Sequence, residues 1–455
     1  MRKIIKIVIL FFAVVPSMAQ TLDSLQQMAL RNNHTLRNAR IETKIADEDK
    51  AVAFTKYFPS VSASAMGFIA AKDMIRTEMD LTNMGQMIAP TLIELGMQDM
   101  LAQMPTTYEM NMLKSGVTAN VLITQPLFAG GQIVNGNKLA ALQQEIRRLQ
   151  VKMNEKQIVQ SVTDYYWQIA SLDANLLTLD AAQIQLDSIH QLTENYVNAG
   201  LINRNDLLTV ELKQQEIKSN KLKVENARKL LLLVLAQLCG QTENIESFNV
   251  HPTSVTDASE PSNYFVQASQ AVCQREEFEL AGKAVEAKNL QVRMERGKYL
   301  PTVAVGATGL YNFMHLGGDF LDMKNGNFVG FATVSIPITD WWGGAHSLKK
   351  AKYQLQQAEN DRMEAQEKLQ IDILAAWNNL TEAYSQIEIA RKSVVSAAEN
   401  LRLQQDQYRA GTSLMSDLLD AVTLNVKAQA SLTSAQAEYQ MRKADYLRKT
   451  GQERQ

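Results

Sequence analysis

Cysteine is nearly absent from this 455-residue chain, which has two, Cys239 and Cys273. Two thiols are too few for a disulfide framework, so we expect small buried residues, with a bridge between them as the alternative in an oxidising compartment. An excess of either charge is also missing, because 46 basic and 48 acidic residues give a net charge of −2 without a basic run. The chain lacks the electrostatic footprint of a nucleic-acid-binding protein, and nucleic acid is not an expected partner.

Clusters of chemically active residues are missing as well. The five histidines are scattered without metal-ligand spacing, and no Ser-His-Asp or Cys-His set stands out. No Walker-type lysine follows the Gly-Gly pairs at 130–131 and 343–344. The sequence therefore predicts no enzyme, no cofactor and no metal site. The one cluster of soft ligands is a group of nine methionines between residues 72 and 113, for which we favour a loop or short helical insert over Cu(I) binding.

Long hydrophobic runs are missing after the first twenty residues. The best stretch, Leu230–Leu235, is far shorter than the ~20 residues that a membrane-spanning helix needs. Residues 1–19 differ, since they combine a basic start, an apolar stretch and the small-residue motif Ser17-Met18-Ala19. This arrangement is typical of a secretory signal peptide. We therefore expect an exported chain without a helical membrane anchor.

Proline and glycine are scarce in two long stretches of the chain. No proline occurs between residues 127 and 251 or after 337, and glycine is rare in the same stretches. Segments of this kind, rich in Ala, Leu, Gln, Glu and Lys, are typical of long helices. Heptad-spaced apolar residues, which indicate coiled-coil packing, occur at Leu172, Leu176, Leu179, Leu186 and Ile189, and at Leu380, Tyr384, Ile387, Val394, Leu401 and Tyr408.

What the chain does contain is a repeat. AGLINRNDLL at 199–208 returns 211 residues later as AGTSLMSDLL at 410–419. YFPSVSASA at 57–65 returns as YLPTVAVGA at 299–307, and TQPLFAGG at 124–131 as SIPITDWWGG at 335–344. The chain is therefore predicted to hold two copies of one unit, 20–240 and 262–455, joined by a polar linker at 241–261.

Each copy is predicted to contain three helices and two strands. The predicted helices are 22–56, 132–198 and 206–238 in the first copy and 262–297, 345–409 and 417–449 in the second. The predicted strands are 57–70 and 115–128, then 299–312 and 328–338. Pro126, Gly130 and Gly131, and their counterparts Pro337, Gly343 and Gly344, are assigned to strand-to-helix turns. The strands alternate apolar and polar residues between terminal aromatics, as transmembrane β-strands do, with an ordinary soluble hairpin as the alternative.

Strand number and helix length limit how such a chain can be built. Four strands cannot close a membrane barrel, since the smallest known barrels have about eight, and an open edge in lipid leaves backbone groups unsatisfied. Transmembrane strands would therefore have to be pooled by several chains. At ~1.5 Å per residue, each of the two long helices is a rod of about 100 Å. The pattern predicts a β-barrel mouth that continues into a helical barrel.

The pattern resembles the TolC family of outer-membrane efflux proteins, or outer membrane factors. The most specific match is YRAGTSLMSDLLDAVTLNVKAQASLTSAQAEY at 408–439, which is similar to the family's Tyr-x-x-Gly-x5-Asp-x-Leu-x-Ala motif; LITQPLFAGG and YLPTVAV also resemble family phrases. The resemblance implies a mainly α fold with transmembrane β. Long antiparallel helical hairpins would form a periplasmic α-barrel, and four strands per protomer would enter a twelve-stranded β-barrel of a homotrimer in the outer membrane.

The resemblance also implies function and partners. It implies a passive exit duct for small molecules or drugs, served by a periplasmic adaptor (membrane fusion) protein and energised by an inner-membrane transporter. The duct of a type I protein secretion or metal efflux system remains an alternative. In a different class, the chain could be an exported coiled-coil scaffold or adaptor without a pore. If the chain is an exit duct, the methionine-rich segment at 72–113 would be extracellular.

Site residues are implied at the repeated phrases. Gly200, Asp206, Gly411, Ser413 and Asp417 would lie at two hairpin tips near which the adaptor docks. Some members lock their entrance with an arginine where this chain has Ser413, so that latch is not expected here.

The resemblance implies a specific role for two acidic residues after the second tip. Asp417 and Asp420 match aspartates that line a constricted periplasmic aperture in some members, and a ring of such carboxylates attracts cations. The compatible alternative is helix capping, with Ser416 as the cap and Asp417, like Asp206, favouring the positive end of a helix dipole.

Overall fold

The computed structural model describes residues 21–72, 74–241, 248–252, 258–316, 321–338 and 340–452. The predicted signal peptide, at 1–19, and part of the predicted linker lie outside these residues. The described chain is mostly helical with one four-stranded sheet, which confirms the predicted fold class. None of the described helices has the length and apolar character needed to cross a membrane.

The elements follow one another along the chain in two groups that mirror the sequence repeat. In order, they are α1 (Leu22–Asn32), α2 (His34–Thr55), β1 (Ser60–Ile69), β2 (Ile75–Asp80), α3 (Thr82–Glu94), α4 (Gln98–Ala102), β3 (Thr107–Met112), β4 (Ser115–Ala129), α5 (Gln132–Asn198), α6 (Arg204–Leu238), a 3-10 turn (Pro261–Tyr264), α7 (Ala268–Val272), α8 (Glu276–Gly297), β5 (Thr302–Leu316), β6 (Leu321–Ser335), α9 (Asp340–Arg409) and α10 (Met415–Thr450).

The chain divides into two compact units. The sheet unit comprises Glu48–Ala141 and Ala287–Leu355, and the helical unit comprises the remaining chain, with Leu142–Glu286 as its central segment. The cores of the helical unit use the predicted apolar stripes: Leu179 and Leu186 of α5 and Leu401 of α9 join one buried cluster, and Leu380 of α9 joins another.

Two helices that the sequence predicts as continuous are interrupted, so those predictions are wrong. The range 22–56 is broken at Asn33, whose backbone is extended and whose Oδ1 accepts the N–H groups of Thr35 at 2.9 Å and Leu36 at 3.3 Å. Asn33 Nδ2 also donates to the Leu238 carbonyl at 3.1 Å. The range 262–297 contains the 3-10 turn, α7 and α8 as separate pieces. In the first break, a side chain provides the cap that restarts the helix.

The break between α7 and α8 holds a charged cluster, which we call the Arg275 cluster. The Arg275 guanidinium donates to Glu277 Oε1 at 2.8 Å and to Asp372 Oδ2 at 2.8 Å, with only 9% of its side chain exposed. Lys449 Nζ lies 2.8 Å from Asp372 Oδ1 and 2.9 Å from an oxygen of Asp445. The ion pairs of this cluster join α8, α9 and α10. They give the buried Arg275 guanidinium the charged partners that it needs, which apolar side chains could not provide.

The two cysteines do not pair. Both are free thiols; Cys239 is buried against the Leu25 carbonyl and Cys273 is exposed at the end of α7. The expectation of two buried residues is therefore wrong for Cys273. Burial raises the pKa of the Cys239 thiol to about 12, which keeps it protonated and unreactive at neutral pH.

The sheet of the sheet unit has the order β1-β4-β5-β6, and every neighbouring pair is antiparallel. Its register sorts the side chains by polarity because alternate residues point to opposite faces. One face pairs Val61 with Ile123 and Ala63 with Val121, whereas the other pairs Ser64 with Asn120. On that second face Asn312 stands opposite Asn325. One face is thus apolar, and the other carries hydroxyl and amide groups.

Two of the predicted strand-to-helix turns are wrong in detail. Pro126 lies inside β4, at a shift of register between Pro126 and Phe128, because a residue without an N–H is tolerated at a bulge. Gly343 and Gly344 lie in the first turns of α9, so they do not precede the helix. A Cβ on Gly344 would stand 2.4 Å from a ring carbon of Tyr299. Glycine there makes room for an aromatic ring.

The remaining turn residues lie between a strand and the helix that follows it. Pro337 is placed between β6 and α9. Gly130 and Gly131 connect β4 to α5 with left-handed φ angles of 59° and 76°, which glycine adopts without the strain of a Cβ. A Cβ on Gly130 would lie 2.0 Å from the Gly297 carbonyl oxygen. Two backbones therefore meet at this turn with no space for any side chain.

Candidate functional site at the helical hairpin tips

The repeated phrase forms two tight turns in the helical unit. Gly200 and Gly411 have φ angles of 71° and 73°. In the first turn the Leu201 N–H donates to the Tyr196 carbonyl at 2.9 Å, and in the second the Thr412 N–H donates to the Gln407 carbonyl at 2.9 Å. Both are left-handed helix ends, which satisfy the last carbonyls of α5 and α9. The same local chemistry therefore makes both hairpin tips.

The two tips border one cleft, which we call the tip cleft. Its volume is about 620 Å³, and it is lined from the first tip by Leu201, Ile202 and Asp206 and from the second by Gly411, Ser413 and Leu414, among others. Leu201 and Leu414 are each 70% exposed. A cleft flanked by exposed leucines, with polar groups inside, is suited to receive a side chain of another protein. The structure thus brings four of the predicted tip residues to one place: Gly411, Ser413 and Asp206 in the lining and Gly200 in the adjoining turn.

The two predicted aperture residues lie on the exposed side of α10. Asp417 is in the first turn and Asp420 follows one turn later, whereas Leu418 and Leu419 between them are buried in the tip core. Asp206 occupies the first turn of α6 in the same way, but the position matching Asp420 is Thr209. The second tip alone therefore presents two carboxylates on one helical face.

The predicted cap at Ser416 is wrong. α10 begins at Met415 after an extended Leu414, and no side chain caps its first N–H groups. Met415 is only 4% exposed, so burial of its side chain starts the helix where it does. Ser413 instead donates from Oγ to Gln404 Oε1 at 2.7 Å. Asp417 keeps the favourable position near the positive helix end that was expected of it.

Two tyrosines contribute to the cleft without having been predicted as site residues. Tyr196 and Tyr408 line it from the last turns of α5 and α9. Burial raises the pKa of Tyr408, and the nearby Asp206 carboxylate adds to the effect. The sequence marked Tyr408 as the last apolar residue of a heptad stripe and as the first residue of the Tyr-x-x-Gly motif, without assigning it to a site. No group of three or more His, Cys, Asp or Glu side chains in the described ranges is arranged to hold a metal ion.

Comparison with known proteins agrees with this architecture. The family model described as "Outer membrane efflux protein" matches residues 25–241 and 268–448. The chain is 23% identical over 300 residues to the outer membrane protein TolC of Escherichia coli, covering 62% of this chain and 58% of TolC. It is also 23% identical over 451 residues to the outer membrane efflux protein BepC of Brucella suis, covering 96% of this chain and 86% of BepC.

A solved structure shows the same fold at low identity. The outer membrane protein VceC of Vibrio cholerae superposes with a TM-score of 0.74 at 16% identity, covering 94% of this chain and 96% of that one. The family model spans both sequence repeats, including both hairpin tips and all six described strands. The chain therefore belongs to the outer membrane efflux protein family and is a protein of the outer membrane.

Proposed function

We propose that the protein is a homotrimeric channel that serves as the passive exit duct of a tripartite efflux system. The observation that carries this proposal is the four-stranded sheet with two free edges, β1 and β6. An open edge is not tolerated in hydrocarbon, so each β1 must pair with the β6 of a neighbouring chain. Three chains would pool twelve strands, with the apolar sheet face toward lipid and the face bearing Asn120 and Asn312 toward the lumen.

The tip cleft supports the proposed partners. A periplasmic adaptor that presents a helical hairpin would insert an apolar side chain between Leu201 and Leu414 and meet the polar lining below them. An inner-membrane transporter would supply the energy, since a passive duct has no energy source of its own. Small molecules or drugs are the proposed cargo; protein secretion and metal efflux remain alternatives, because nothing in a duct of this kind selects among them.

Two measurements test this proposal. The outer-membrane fraction, extracted in detergent, should yield a trimer that dissociates on heating. A photo-cross-linking residue at Leu414 should capture the adaptor in cells, whereas one at Leu177, which is 71% exposed on α5 away from the cleft, should not. A monomeric soluble protein in the periplasm would contradict the channel and favour a scaffold. Cross-linking of equal strength at both positions would remove the tip cleft as the docking site.

The aperture assignment predicts a change in ion conduction. Replacing Asp417 and Asp420 together by alanine should raise single-channel conductance in planar bilayers and weaken block by divalent cations, because six carboxylates around one opening attract and retain cations. Asp206→Ala is the matched control, since Asp206 has the same place in the other tip but no second carboxylate after it. Equal conductance of the wild type, the double variant and Asp206→Ala would show that Asp417 and Asp420 stabilise the start of α10 and do not line an aperture.

A further inference from the structure

The insert between β1 and β4 contains a helix with well-formed ends. The Thr82 N–H donates to Asp80 Oδ1 at 2.8 Å at the start of α3. At the other end Gly96 has a φ of 74°, and the Met97 N–H donates to the Leu92 carbonyl at 2.9 Å. The first bond is an Asx turn just before the helix, and the second belongs to a left-handed C-terminal cap, so local hydrogen bonds hold both ends of α3.

Among the residues that the structure describes, nothing packs over this helix closely enough to bury a side chain. α3 has 13 residues and buries none of them, although Glu94 is its only charged residue. Met87 is 77% exposed, and Leu95, just after the helix, is 65% exposed. Met84 and Ile93 are 49% and 50% exposed, and several exposed apolar side chains on one short helix indicate a contact with another molecule. Four charged residues of the insert, Arg76, Glu78, Asp80 and Glu109, lie on its two-stranded base, where Glu78 stands opposite Glu109, and Asp99 lies on α4.

The insert rises from the edge of the sheet that needs a neighbour. The Ala70 N–H donates to the Lys114 carbonyl at 2.8 Å and the Met74 N–H to the Leu113 carbonyl at 3.3 Å, so the β1–β4 ladder continues into β2 and β3. The helices α2 and α5 adjoin the opposite ends of β1 and β4. In the proposed trimer, three inserts would therefore stand around one axis at the extracellular mouth.

We propose that the three copies of α3 pack against one another over this mouth and form an apolar extracellular cap. The occupant of the exposed surface is thus a second copy of this chain, and the inference rests on the trimer proposed above. A twelve-stranded barrel with strands ~4.8 Å apart and a tilt of ~40° has a radius of about 12 Å. A 13-residue helix is about 20 Å long, which is enough to reach the axis.

A cleft beside α3 offers a place for a neighbour's side chain. It has a volume of about 250 Å³ and is lined mainly by apolar groups, including Leu81, Met84, Ala89 and Met104. Contacts around a threefold axis join two different surfaces of identical chains. A protruding residue such as Met87 of one copy would enter the cleft of the next. Helices with a single acidic residue each can approach closely, whereas charged tips would repel.

Disulfide cross-linking of the full-length protein in its outer membrane tests the cap. In a Cys273→Ser background, the buried Cys239 is the only native thiol left, and Met87→Cys combined with Met104→Cys places one new thiol on the protruding position and one in the cleft. Oxidation should then join neighbouring chains into dimers and trimers, because position 87 of each chain meets position 104 of the next around the threefold axis. Either substitution alone should leave monomers. Glu78→Cys, an exposed position on the two-stranded base, should remain monomeric on denaturing gels.

Each other outcome overturns the cap. Complete reaction of the two new thiols with a membrane-impermeant maleimide, without cross-linking, would show that α3 faces water. A cross-link to a protein of another mass would show that a different partner covers it. A heat-sensitive trimer without the cross-link would remove the cap and leave the channel proposal standing, whereas absence of the trimer would remove both.

Discussion

Replacing Gly130 by alanine is expected to destabilise the sheet unit by about 3 kcal/mol or more. Two effects add. The residue has a φ of 59°, and its new Cβ would lie 2.0 Å from the Gly297 carbonyl oxygen, a backbone atom that cannot rotate away. A unit of this size loses about 2–4 °C per kcal/mol, so the unfolding midpoint should fall by roughly 6–12 °C. Thermal unfolding followed by circular dichroism, together with the yield of membrane-inserted protein, measures this.

Gly131→Ala and Gly297→Ala separate the effect of backbone strain from that of the steric clash. Gly131→Ala keeps a strained φ of 76°, but the nearest heavy atom to its Cβ is the Asn135 amide nitrogen at 3.5 Å, so about 1 kcal/mol is expected. Gly297→Ala has no left-handed φ, yet its Cβ would lie 2.4 Å from the Gly130 carbonyl oxygen. It should therefore resemble Gly130→Ala. Equal unfolding midpoints for Gly130→Ala and Gly131→Ala would show that the close approach to the Gly297 carbonyl is not the cause of the destabilisation.

Replacing Arg275 by methionine is expected to destabilise the helical unit by about 2–4 kcal/mol near neutral pH. Methionine keeps the apolar stem but leaves Glu277 without its guanidinium partner and Asp372 with Lys449 alone. Side-chain exposures of 33% for Glu277 and 40% for Asp372 allow some rehydration. Arg40→Met is the control, because the Arg40–Glu155 pair is 48% and 36% exposed and should cost under about 1 kcal/mol.

The Arg275 cluster also predicts a pH dependence with a definite sign. Desolvation raises the pKa of Glu277 and of Asp372, but hydrogen bonds from Arg275 to Glu277, and from Lys449 and Arg275 to Asp372, outweigh it, so both pKa values are lowered. Their stabilisation is therefore present above the unfolded carboxyl pKa, about 4, and is lost as pH falls through the lower folded values. The midpoint difference between wild type and Arg275→Met should shrink below about pH 4; a difference that grows there would contradict this assignment.

Local sequence rules could predict the parts of this fold that depend on local chemistry. α5 begins after Gly131 and ends before Gly200, because a segment without proline is helical until a left-handed residue ends it. The same rules failed at Gly344, since its role is set by the Tyr299 ring, which is distant in sequence. They failed at Asn33 because the break there depends partly on a bond to the Leu238 carbonyl.

The candidate site also has a part that local sequence predicts and a part that depends on tertiary packing. The two glycine turns and the first-turn aspartates follow from a repeated phrase that can be read directly. The tip cleft does not, because Tyr196 and Tyr408 approach each other only when α5, α6, α9 and α10 share a core. Sequence rules also cannot predict what packs against α3, since its apolar residues are arranged like those of any buried helix.

The two free edges of the sheet impose an order on biogenesis. The helical unit has buried clusters of its own and can form them within one chain, at a rate that does not depend on protein concentration. In the proposed trimer the sheet cannot be completed before other chains arrive, so its closure depends on encounters between chains and slows steeply when synthesis is low. Until then β1 and β6 are exposed templates for aggregation. Survival of the half-folded monomer, more than the speed of helix formation, should limit how much mature protein a cell accumulates.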